Sequence, residues 1–120
     1  MTLPIRRVVV PALAALAVAL AAAPSSRAEA PKVIEITARR FAFTPAEITL
    51  QRGEPVLLRL HSEDVTHGFF LRPLGIDTTI EPGKTNEIPV MPKQAGRYTV
   101  ICDHFCGSGH GNMKMTIVVE

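Results

Sequence analysis

The feature that most narrows what this chain can become is a period-two alternation of apolar residues running from Ile34 to Val119. Ile34, Ile36 and Ala38 alternate with Glu35 and Thr37, and Ile48 and Leu50 with Thr49 and Gln51. Val56, Leu58 and Leu60 face one way while Arg59 and His61 face the other. Successive side chains of a strand point to opposite faces, so this pattern describes strands with one face in a core. Val65, His67 and Phe69 share the next inward face. Short strands follow at 79–81 and 86–91, the latter with Ile88 and Val90 inward. Tyr98, Val100 and Cys102 share a face, and Met113, Met115, Ile117 and Val119 alternate with Lys114, Thr116 and Val118. Turns fall at Arg52-Gly53-Glu54, Pro73 with Gly75, Pro82-Gly83 and Ala95-Gly96. No helical period is visible. About seven or eight short strands at this spacing predict an all-β antiparallel sandwich.

The alternation does not reach the N-terminus. Arg6 and Arg7 precede an apolar run over 8–23 broken only by Pro11, and Ala28-Glu29-Ala30 fits a small-x-small cleavage site. Residues 1–30 therefore read as a secretory signal peptide cleaved after Ala30, with Ala28 as the near alternative. An uncleaved anchor is the competing reading, but the run falls short of the ~20 apolar residues that a span needs. Arg6-Arg7 also raises the twin-arginine route, which the flanking residues match poorly. Export places the remaining domain, 31–120, in the periplasm.

Cleavage removes Arg6, Arg7, Arg27 and Glu29, so the thirteen basic and eleven acidic residues fall to ten of each. The basicity belongs to the targeting segment, and a neutral domain offers no basis for nucleic-acid or membrane-surface binding. In an oxidising compartment two thiols are expected to form a disulfide or to hold a metal.

Those thiols lie in "CDHFCGSGHGNM", residues 102–113, with two of the four histidines and one of the four methionines. Thiolate, imidazole and thioether together favour copper, above all when Cu(I) must be held. Zinc gains little from Met, and the hard oxygen ligands that suit Mg or Ca are missing. Gly107, Gly109 and Gly111 remove bulk and permit positive φ where several ligands must fold around one point. A mononuclear blue site needs one Cys, two His and a weak Met. A second Cys, four residues away, suggests instead two thiolates bridging two ions. His67 and His110 then supply one imidazole each, and Met113 and a loop carbonyl the weak axial donors.

With His67 in "DVTHGFF", the pattern Cys102-x3-Cys106-x3-His110-x2-Met113, and "PLGID" and "EPGKTNEIPV" between them, the domain resembles a known family. It is similar to the copper-A cupredoxin domain of cytochrome c oxidase subunit II and of nitrous oxide reductase. The resemblance implies a cupredoxin-like Greek-key sandwich holding a dinuclear copper-A centre. Cys102 and Cys106 would bridge both ions, and His67 and His110 would cap one each. Met113 and the backbone carbonyl of His104 would be the axial donors. Position 104 is commonly Glu in the oxidases, where its side chain also meets magnesium, and His104 departs from that role. Subunit II usually has two membrane helices, and this chain has at most one hydrophobic segment. It lacks Trp, through which the family often takes up electrons, and it lacks the reductase's propeller.

The function implied is an exported one-electron carrier whose partner is a c-type cytochrome or a terminal oxidase. It would not be an enzyme alone, though it could be part of a cytochrome c oxidase. The alternatives are a periplasmic copper-binding or delivery protein and a mononuclear blue copper protein in which Cys102 is not a ligand. Glu63-Asp64 reads as a solvated turn, and His61 as a residue of a solvated face.

Overall fold

The computed structural model describes residues 1–21 and 30–120. Residues 1–21 carry no regular secondary structure. The expected cleavage sequence at Ala28 and Glu29, and Arg27 before it, lie outside the described residues. No helix among the described residues is long and apolar enough to cross a membrane.

Among the described residues nine strands form from the alternating segments: β1 (Lys32–Arg39), β2 (Ala42–Thr44), β3 (Glu47–Leu50), β4 (Val56–Ser62), β5 (His67–Leu71), β6 (Ile76–Ile80), β7 (Asn86–Val90), β8 (Gly96–Ile101) and β9 (Lys114–Val119). They build a four-stranded sheet, β2-β1-β4-β7, and a five-stranded sheet, β3-β9-β8-β5-β6. Five pairings are antiparallel, while β1 with β4 and β3 with β9 run parallel. Side chains alternate in the same way in both arrangements, so the parallel pairs leave no mark on the apolar pattern. The strand expected at 79–81 starts earlier, at Ile76, because Ile76 is buried and pairs with Leu71.

The inward faces meet as the alternation predicts. Ile36, Ala38, Leu58 and Leu60 from one sheet and Phe69, Val100, Met115 and Ile117 from the other are all buried. Phe43 and Phe69 meet edge to face, with centroids 5.5 Å apart at 87°, an arrangement aromatic quadrupoles favour. Each fully buried large apolar side chain contributes about 1.5–3 kcal/mol of transfer free energy. His61 stays half-exposed on the outer face, its Nε2 3.9 Å from Glu35 Oε2.

The strands β9, β8 and β5 are neighbours in the five-stranded sheet. At one end of this trio β5 begins, β8 finishes and β9 begins. The end of the sheet is therefore a meeting point for three stretches of chain.

Candidate metal centre

His67 opens β5, Cys102 follows the last residue of β8, and Met113 precedes the first residue of β9. Ile101 and Lys114 are register partners, so 102–113 is the loop of the β8–β9 hairpin. The Cys102 N–H donates to the Met113 carbonyl at 3.1 Å and closes the neck of this loop. A short 3-10 turn, His110–Asn112, ends as the Met113 N–H donates to the His110 carbonyl at 3.1 Å. Residues three apart eclipse in such a turn. The two-residue spacer thus sets His110 and Met113 on one side.

The residues singled out in the sequence come together. One ring nitrogen of His67 and the sulfurs of Cys102 and Cys106 lie within 4.8 Å of one another, and all three residues are buried. The two sulfurs are 3.7 Å apart and both thiols are free. A disulfide would need about 2.05 Å, whereas a metal ion bonded to each sulfur at about 2.3 Å fits that gap. Cys106 Sγ is 3.9 Å from His110 Nδ1 and 3.8 Å from Met113 Sδ. Cys102 Sγ instead lies 3.1 Å from the His104 carbonyl oxygen. The His104 side chain is exposed.

His67 is fully buried. Its Nε2 sits 2.7 Å from Asp64 Oδ1, while its Nδ1 has no hydrogen-bond partner. Buried polar atoms are almost always satisfied. With Nε2 taken by Asp64, Nδ1 is left as a free donor atom in a pocket of sulfur. Carboxylate-held imidazoles of this kind are typical of metal ligands. Partial burial pushes the Asp64 carboxyl up, but bonds from the Arg40 N–H, the His67 ring and the Val65 N–H outweigh this and hold it at about 2.

Burial pushes the Cys106 thiol up to about 11, with the adjacent Cys102 and the Asp64 charge adding to the effect and Arg40 opposing it. Two thiols this close resist losing both protons, and a bound cation reverses that balance. The residues therefore fit a metal on two grounds, an orphaned imidazole nitrogen and a soft donor set of two sulfurs with a thioether beside them.

The glycines divide in their roles. Gly107 has φ +139°, and both Gly107 and Gly109 lie under the Phe41 ring, where a Cβ on Gly107 would come within 2.8 Å of it. Gly111 has neither a positive φ nor a close neighbour. A fourth position, Gly68, is tighter. Its N–H donates to Cys102 Sγ at 3.3 Å, and a Cβ there would stand 2.6 Å from the His104 nitrogen and 2.7 Å from that of Asp103.

Sequence reasoning missed two contributors. Asp64, read as part of a solvated turn, is the partner of His67; its place three residues before a buried histidine was the available signal. Arg40 donates from Nε to the Cys106 carbonyl at 2.9 Å, and no local pattern marks it.

The family model for the cupredoxin-like domain matches residues 12–119. The chain belongs to the cupredoxin-like domain family. This cupredoxin is 33% identical over 87 residues to cytochrome c oxidase subunit 2 of Thermus thermophilus, an alignment covering 72% of this chain and 64% of that one. It is 30% identical over 91 residues to the nitrous-oxide reductase of Cupriavidus necator, covering 72% of this chain but 14% of the reductase. Among solved structures it superposes on a chain of a heme-copper terminal oxidase dimer with a TM-score of 0.68 and 30% identity, covering 74% of this chain and 65% of that one. The cupredoxin thus spans less than two thirds of the length of these relatives. The resemblance expected from the His67 and 102–113 motifs is met in both kinds of protein, an oxidase subunit and a nitrous-oxide reductase.

Proposed function

We propose that this cupredoxin is an exported, periplasmic one-electron carrier holding two copper ions in a dinuclear copper-A centre. Cys102 and Cys106 would hold the pair through their thiolates, and His67 and His110 would each supply an imidazole. Met113 and the His104 carbonyl would be the weaker donors. The observation that carries this reading is the placement of donors around two free sulfurs 3.7 Å apart. The thioether of Met113 and the imidazole of His110 lie beside Cys106, and the His104 carbonyl lies beside Cys102. The six donors gathered here, counting the His104 carbonyl, exceed the four that a single blue-type ion takes. A one-ion site would leave a buried thiol without a role.

Copper supplies the one-electron couple when bound. The chain's residues do the rest. Two thiolates place two negative charges where a cationic pair would otherwise be costly to bury. Asp64 fixes the His67 ring, and the packed glycine loop keeps the donors in place. Small movement of donors on a change of oxidation state favours fast transfer. With the donors all drawn from protein, no position is open for a substrate, which argues for electron transfer and against catalysis by this domain alone. His110 is half-exposed beside Phe105, with ring centroids 5.9 Å apart. That edge is the natural approach for a redox partner, a c-type cytochrome or a terminal oxidase. The N-terminal 1–30 segment is the export signal in this reading.

Copper titration of the purified chain with electron-spin resonance tests the proposal. Two coppers per chain and a seven-line mixed-valence spectrum are expected, lost in both Cys102→Ser and Cys106→Ser. One copper with a four-line signal that survives Cys102→Ser would overturn it in favour of a mononuclear site.

A further inference from the structure

The turn between β1 and β2 is far from both donor segments in sequence, yet it touches each of them. Its tip is Arg40-Phe41, and Arg39 and Ala42 on either side are register partners. The Arg40 backbone N–H donates to Asp64 Oδ2 at 2.7 Å. The other oxygen of the same carboxylate, Oδ1, holds His67 Nε2 at 2.7 Å. The Arg40 side chain reaches the other donor segment, where its Nε donates to the Cys106 carbonyl at 2.9 Å. The Phe41 ring closes over Gly107 and Gly109, the glycines between Cys106 and His110.

We propose that Arg40 is a positioning residue that clamps the two donor segments together, fixing the His67 ring through its backbone and the Cys106 end of the 102–113 loop through its side chain. The inference rests on the metal-ligand reading given above and deepens it. His67 and the loop come from different strands, and apart from the sheet hydrogen bonds their separation depends on contacts at the strand ends. A guanidinium is suited to the task, because its charge strengthens the bond to a carbonyl and its planar fork is stiff. Lysine could reach the same carbonyl but would hold it with one mobile ammonium. The link through Asp64 uses only the backbone, so Arg40→Ala removes one arm of the clamp and leaves the other.

The test compares the full chain with Arg40→Ala, Arg40→Lys and, as a control, Arg39→Ala, an exposed neighbour with no bond to the loop among the described residues. Amide hydrogen exchange of 106–110 is measured in the copper-free protein, and absorption, spin resonance and chelator-driven copper release in the loaded one. Loss of a charge-assisted bond is expected to speed loop exchange about tenfold or more in Arg40→Ala. The same variant should shift the charge-transfer bands and release copper about tenfold faster, with Arg40→Lys intermediate and Arg39→Ala unchanged. Unchanged loop exchange and unchanged spectra in Arg40→Ala would overturn the clamp. If the wild type binds one copper or none while Arg40→Ala still loosens the loop, the two-copper reading fails and the clamp stands.

Discussion

At the scale of single residues, the site depends on how a buried histidine is kept in one orientation. Burying His67 without a partner for either nitrogen would cost several kcal/mol. Asp64 offsets part of this cost by bonding Nε2, and it does so as a carboxylate whose own pKa is about 2. That value lies below the ordinary carboxylate value of 3.8, so the folded state binds the proton less readily than the unfolded chain does. The stability this group contributes is fully present above pH ~4 and is lost as the pH falls toward 2. Thermal unfolding of the copper-free protein across this range should therefore show a drop in midpoint that Asp64→Asn lacks. A parallel drop in both proteins would remove Asp64 from the account.

At the scale of elements, the decisive contact is the start of β5 pressed against the loop that follows β8. Gly68 leaves no room there, with backbone nitrogens of Asp103 and His104 where a Cβ would sit. Gly68→Ala should push the strand off the loop, cost about 1–3 kcal/mol by overpacking, and lower copper affinity more than the same change at Gly111, which faces open space. Denaturant unfolding and a copper competition assay check this. Much at this scale was legible beforehand. The inward phase of Ile36, Leu58, Phe69 and Ile117 follows from alternation alone, as do the burial of His67 and Cys102. The direction of β1 against β4 was not, because parallel and antiparallel strands alternate identically. Nor were Arg40 and Asp64 readable as a pair. They stand 24 residues apart in sequence and meet only because β1 lies beside β4. The Cys102-x3-Cys106-x3-His110-x2-Met113 spacing was readable because those donors are local, held by one hairpin loop and one 3-10 turn.

At the scale of the whole molecule, the small domain leaves little margin, since chains of this size bury a modest share of their surface on folding. Metal bound only by the folded state adds to that margin by mass action. Copper at 100 times its dissociation constant is expected to add about 2.7 kcal/mol per site and to raise the melting temperature by roughly 10–20 °C. Scanning calorimetry with and without a chelator measures it. A copper-independent melting temperature would mean that the donors do not hold the ion in the native fold.

The distance along the chain between β5 and the β8–β9 hairpin has a further outcome. Gly68 and Cys102 touch across 34 residues of sequence, so the His67 imidazole and the sulfur donors meet only once β5 lies beside β8. The loop's two thiols, imidazole and thioether stand together in the sequence, but the full donor set, His67 included, exists only where the sandwich has closed.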